Sequence, residues 1–130
     1  MKPWVRSAFL AAALVGAGSQ GATAGTLDAE LDGVRVELTS EPERPGTKRE
    51  TSYVLRLVDS TGRPVTGAQI TLRGRMADGM SVAAPLRPGP EPGIYRGRVL
   101  FTMEGSWELT LRVARQGKRL ELPLTEHVGR

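Results

Sequence analysis

The residues with the clearest chemical potential in this 130-residue chain are two methionines in the stretch Met76-Ala-Asp-Gly-Met80. Thioethers are soft ligands that favour Cu(I), and they need no deprotonation to bind it. They therefore suit a chain that has no cysteine. Gly79, lying between them, frees the backbone to turn both sulfurs to one side. A Cu(I) site takes two or three soft donors, and Met103 or His127 is available to complete the set. In the competing reading Met76 caps the end of a core and Met80 packs loosely under a long loop. Methionines do this more often than they bind metal, and the core reading is the preferred one from sequence.

Other chemistries are mostly excluded. Without cysteine there is no disulfide, thiolate nucleophile, Cys-type zinc site or haem attachment. With one histidine there is no multi-histidine metal centre. Glu41 and Glu43 flank a proline in a turn, and of Glu104 and Glu108 the latter lies on the polar face of a strand. A glycosidase holds its two carboxyl groups across a cleft, and this short chain offers little length for cleft walls. His127 lies near the last residue, a poor place for a base that needs an orienting partner. No glycine-rich phosphate loop leads into a helix. The expectation is a protein that is not an enzyme. Tyr95 and Trp107 could form a ligand platform, but their apolar flanks favour the core. Arg73, Arg75, Arg96 and Arg98 would make a docking patch for an acidic partner if their strands were neighbours. Arginines on strand faces more often pair with carboxylates.

The N-terminus changes the charge arithmetic. Lys2 and Arg6 precede an uncharged run from Ala8 to Gly18, and Gly21-Ala22-Thr23-Ala24 follows. Basic region, short apolar region and small residues at a cut after Ala24 are the order of a secretory signal peptide. The apolar run is too short to span a bilayer, so no stable membrane anchor is expected after cleavage. Residues 1–24 are read as the signal peptide and residues 25–130 as one domain, periplasmic or secreted. Removing Lys2 and Arg6 from eighteen basic side chains leaves sixteen against fourteen acidic, a net +2. With charges that alternate in sign and only four aromatic rings, the mature chain has neither a cationic cluster nor a stacking surface for nucleic acid.

What positions the methionines is a series of strands. Alternation with a period of two dominates the mature chain. It predicts strands at Val34–Leu38, Ser52–Val58, Ala68–Leu72, Ile94–Phe101, Trp107–Ala114 and Leu120–Leu124. Turn-forming clusters separate them at 41–46, 59–64, 103–106 and 115–117. Residues 74–92, rich in Gly and Pro, read as a long loop with one short edge strand near Val82–Leu86, and the last six residues read as frayed. Six or seven short strands in about 100 residues predict an all-β, antiparallel, immunoglobulin-like β-sandwich. Trp107, Tyr53, Tyr95, Phe101, Ile70 and Leu111 are its expected core.

Two stretches carry a resemblance. Asp59-Ser-Thr-Gly-Arg-Pro-Val-Thr-Gly-Ala68, running into Gln69-Ile-Thr-Leu72, resembles a turn and strand common in exported bacterial Ig-like modules. Met76–Met80, Pro92-Gly-Ile-Tyr-Arg-Gly97 and Met103-Glu-Gly-Ser-Trp-Glu-Leu-Thr-Leu111, in that order, resemble the YtkA-like/FixH-like family. The resemblance covers residues 34 to about 114. It implies an exported Ig-like domain associated with copper handling and respiratory-oxidase assembly. FixH-type members keep an N-terminal membrane helix where this chain has a cleavable signal. Many relatives have His beside the loop methionines, and residues 74–92 have none. The functional expectation is a non-catalytic binding or assembly module with a protein partner in the cell envelope. The alternatives are a copper-handling accessory protein using Met76 and Met80, and a generic Ig-like scaffold or adhesion domain.

Overall fold

The computed structural model describes residues 27–130; the signal peptide expected at 1–24 lies outside them. Eight strands account for most of the described residues: β1 Leu27–Leu31, β2 Val34–Glu41, β3 Thr51–Asp59, β4 Gln69–Arg75, β5 Ser81–Pro88, β6 Ile94–Val99, β7 Gly105–Arg115 and β8 Lys118–Val128. Their order is β1-β2-β3-β6-β5-β4-β7-β8, with every pairing antiparallel. One layer holds β1, β2, β3 and β6, and the other holds β4, β5, β7 and β8. The layers join where the end of β5 crosses to pair Arg87 and Pro88 with Arg96 and Tyr95. This is the expected all-β sandwich, with eight strands instead of six or seven.

The inward face of each strand follows from its alternation. Val34, Val36 and Leu38 of β2 in one layer and Leu109, Leu111 and Val113 of β7 in the other line a core that also buries Tyr53, Tyr95, Phe101 and Trp107. Every residue expected in the core is buried. Phe101 and Trp107 stack in a tilted pair with centroids 5.3 Å apart.

Three differences from expectation have physical causes. Strand β1 escapes the sequence pattern because it is an edge strand, exposed or half-exposed throughout. Strand β5 is longer than the predicted Val82–Leu86. Along 81–86 it pairs with β4 alone, so Pro85 loses no ladder bond on its open side. The last residues are not frayed: β8 continues to Val128, and Gly129 accepts a bond from Thr47 (3.1 Å) and donates one to Pro45 (3.0 Å).

The strand directions give the sandwich two distinct ends. One gathers the 42–50 segment, the Met76–Met80 hairpin, the 100–104 loop and the C-terminus. The other gathers the 32–33, 60–68, 89–93 and 116–117 connections.

Candidate functional site

Topology brings the methionines to one end. The register that pairs Arg75 with Ser81 continues one step further, with the Met76 amide donating to the Met80 carbonyl at 2.8 Å. Directly opposed residues in an antiparallel hairpin point to the same side, so Met76 and Met80 leave the hairpin on one face. The turn is closed by the Gly79 amide on the Met76 carbonyl (3.0 Å) and by Asp78 Oδ1 on the Met80 amide (3.0 Å). Gly79 sits at φ +100°, which a residue with a side chain seldom adopts.

Met76 is half-buried and packs against the core, as the core reading expects. Its methyl group reaches Gly105 so closely that a Cβ there would lie 2.8 Å from it. That contact sets the hairpin against the start of β7, next to the 100–104 loop. The loop is fixed from below, where Trp107 Nε1 donates to the Met103 carbonyl at 3.0 Å. Met80 and Met103 are not core residues. They are 39% and 41% exposed, and Leu100 in the same loop is 48% exposed. Three of the four large hydrophobic side chains exposed among the described residues therefore share one end of the sandwich.

The remaining sequence candidates are placed elsewhere. His127 lies on the outer face of β8, its Nδ1 3.1 Å from Ser106 Oγ, and does not join the methionines. This Ser–His pair lies on an open sheet face, and no carboxylate among the described residues orients the imidazole. Glu104 holds Arg130 (3.0 Å), Glu108 accepts from Thr125, and Glu41 and Glu43 are exposed. The four arginines do not form a patch: Arg73 and Arg75 lie on β4 in one layer, Arg96 and Arg98 on β6 in the other. Arg96 is paired with Glu91 and Arg98 with Glu50. Among the described residues no three His, Asp or Glu side chains gather as a metal site. At the opposite end a shallow polar groove is lined by Gln69, Arg115, Gln116, Lys118 and Arg119, without a nucleophile–base pair.

The two tyrosines show how the ends are built. Tyr95 Oη donates to the Val65 carbonyl (2.8 Å) and accepts from the Ala68 amide (3.3 Å), tying the 60–68 turn to the core. Asp59 Oδ1 closes the same turn by accepting from Thr61 and Arg63. These hydrogen bonds, the Thr61 hydroxyl's first, hold the Asp59 carboxyl below its ordinary range. At the methionine end Tyr53 Oη donates to Glu126 Oε2 at 3.0 Å, and Glu126 is only 2% exposed. Sequence reasoning missed Glu126, although the alternation of Leu120, Leu122 and Leu124 continues to it in phase.

The YtkA-like family matches residues 28–112, more than half of the chain. The chain belongs to the YtkA-like family. A DUF4426 family protein from Pseudomonas aeruginosa PAO1 has a similar structure, with a TM-score of 0.63 at 10% identity, over 81% of this chain and 95% of that one. The filamin domain of Lin-41 is similar at a TM-score of 0.51 and 23% identity, over 65% and 81%. At these identities both likenesses speak to the fold alone. No curated protein matches this YtkA-like chain. The family motifs now have structural reasons. Gly93, at φ +81°, lies against Pro64 and the Leu57 carbonyl; Tyr95 anchors a turn; Gly97 leaves room for Leu86 where β5 crosses between layers.

Proposed function

We propose that this YtkA-like chain is an exported, non-catalytic binding module that docks an apolar segment of a cell-envelope protein on its methionine end. The observation that carries the reading is the exposure of Met80, Leu100 and Met103 at the same end of the sandwich as the half-buried Met76. Clustered exposed apolar side chains mark interaction surfaces, and flexible thioethers adapt to a partner's shape. The backbone beneath is fixed by the hairpin bonds and by Trp107, so docking orders few groups. The signal-like N-terminus supports the periplasm or the medium as the compartment.

In-cell photo-cross-linking tests this reading. A photoreactive residue at position 80 is expected to give one discrete protein adduct, and one at position 116, on the opposite end, none. Equal labelling from both positions would overturn it.

A second reading, Cu(I) handling, is favoured by one observation: Met76 and Met80 are opposed on the same face of a hairpin. Anaerobic competition against a Cu(I) chelator separates the two. Docking alone predicts the same affinity for the wild type and for Met76→Ala/Met80→Ala. A copper site predicts that the double variant loses binding.

A further inference from the structure

The end of the sandwich that carries Met103 is closed by the last residues of β8, and those residues are seated on a buried carboxyl. Glu126, directly opposite Trp107 in the β7–β8 ladder, points inward and crosses to the other layer to meet Tyr53 on β3, 73 residues away. Beyond it Val128 is buried, Gly129 clasps Pro45 and Thr47, and Arg130 holds Glu104 in the 100–104 loop. Seating this strand end thus also fixes the 45–47 segment and the loop bearing Leu100 and Met103.

The polar surroundings of Glu126 are those of a neutral acid. On β3, Tyr53 is its hydrogen-bond partner, and fully buried Thr51 has an unpartnered Oγ1. On β2, Ser40 turns its hydroxyl to the Pro42 and Glu43 carbonyls. On β7, Glu108 lies on the outer face with Thr125, and on β8 itself His127 is outside with Ser106. Arg98 is engaged by Glu50 and Arg130 by Glu104, both on the surface, and Glu41, Glu43, Arg44, Lys48, Arg49, Arg75 and Asp78 are exposed. Among the described residues no cation faces the carboxyl, and the titratable group that does face it is Tyr53, whose phenol burial pushes up. A buried carboxylate without a counter-charge is costly.

We propose that Glu126 and Tyr53 form a proton-operated latch: a protonated Glu126 keeps the end of β8 seated on β3, and its deprotonation releases that end together with the Pro45–Thr47 clasp and the 100–104 loop. Burial pushes the Glu126 carboxyl up to about 7, so the latch works near neutral pH. The latch stands on the packing described here; its effect on docking rests on the function proposed above.

Hydrogen exchange of the full chain at pH 5.5 and 8.5, corrected for intrinsic rates, tests it. Amides of Thr125–Gly129 and Thr47 are expected to lose protection more than ten-fold at the higher pH. A carboxyl moved from 4.5 to about 7 allows a limit of about 300-fold. Leu111 and Leu120, deeper in the sandwich, are expected to stay more protected than the end of β8 at both pH values. Glu126→Gln is expected to stay closed at both pH values, and His127→Asn to behave as wild type. Unchanged protection in the wild type, or a pH effect that survives Glu126→Gln or vanishes in His127→Asn, would overturn the latch. Should Glu126→Gln fail to fold, Tyr53→Phe decides. Loss of the phenolic donor is expected to move the midpoint to higher pH, and an unmoved midpoint contradicts the proposal. Exchange reads the latch and cross-linking from position 80 reads the docking face, so failure of one is distinguishable from failure of the other.

Discussion

Glu126 makes the folded state bind a proton that the unfolded chain has already released. Its carboxyl rises from 4.5 to about 7 on burial, with the Tyr53 hydrogen bond opposing part of that shift. Between those values the native state holds more protons, so stability falls as pH rises. The contribution is complete below about pH 4.5, declines through neutrality and is lost above about 7. The shift corresponds to about 3 kcal/mol across the window. Thermal melts at pH 5 and 8.5 should therefore show a lower transition at pH 8.5, and Glu126→Gln should remove most of that difference. A melting temperature that rises with pH would refute this account of the pair. Trp107 is the other residue on which this end depends. It is fully buried, stacks on Phe101 and holds the Met103 carbonyl. Trp107→Ala should cost about 3–5 kcal/mol in denaturant unfolding, whereas Met80→Ser, at an exposed position, should change stability by less than about 0.5 kcal/mol.

At the scale of elements, the joint between the layers is the point most sensitive to a single methyl group. Gly97 of β6 faces inward where β5 crosses, and a Cβ there would meet both the Leu86 side chain and the Pro85 carbonyl. Leu86 can turn aside, but the backbone carbonyl cannot. Gly97→Ala should destabilise the fold by about 1–3 kcal/mol in equilibrium unfolding. A neutral result would mean that the β5–β6 junction is looser than described. The strands legible in the sequence were those with one wet face, such as Trp107–Ala114, where burial imposes a period of two. The others lacked that signature in whole or in part: β1 lies at a sheet edge with little buried, and β5, legible only as a short strand near Val82–Leu86, carries two Ala and two Pro and is held mainly by the ladder of β4. Met76 and Met80 were visible as a pair because their spacing is local. That Leu100 and Met103 lie at the same end depends on pairings between distant strands, which no local pattern encodes. Glu126 was in phase with Leu120, Leu122 and Leu124, but a carboxylate near a chain end reads as solvent-exposed, and the partner that stabilises it sits 73 residues away.

The whole molecule is a sandwich with one end tied by the hydrogen bonds of Tyr95 and Asp59 and one end where Met80, Leu100 and Met103 meet solvent. If the chain is exported as its N-terminus suggests, mass spectrometry of the mature protein should find Gly25 as the first residue, and a product starting at Met1 would contradict export with cleavage. Docking at the methionine end should be separable from stability, since Met80, Leu100 and Met103 contribute little to the core. The most direct measurement is therefore cross-linking from position 80 in the native host, compared between the wild-type surface and a Leu100→Ser/Met103→Ser background with an unchanged melting temperature. A single adduct with the wild-type surface, lost in the double variant, is the predicted result. An adduct that persists undiminished in the folded double variant, or no adduct from position 80 at all, would contradict a docking face at this end.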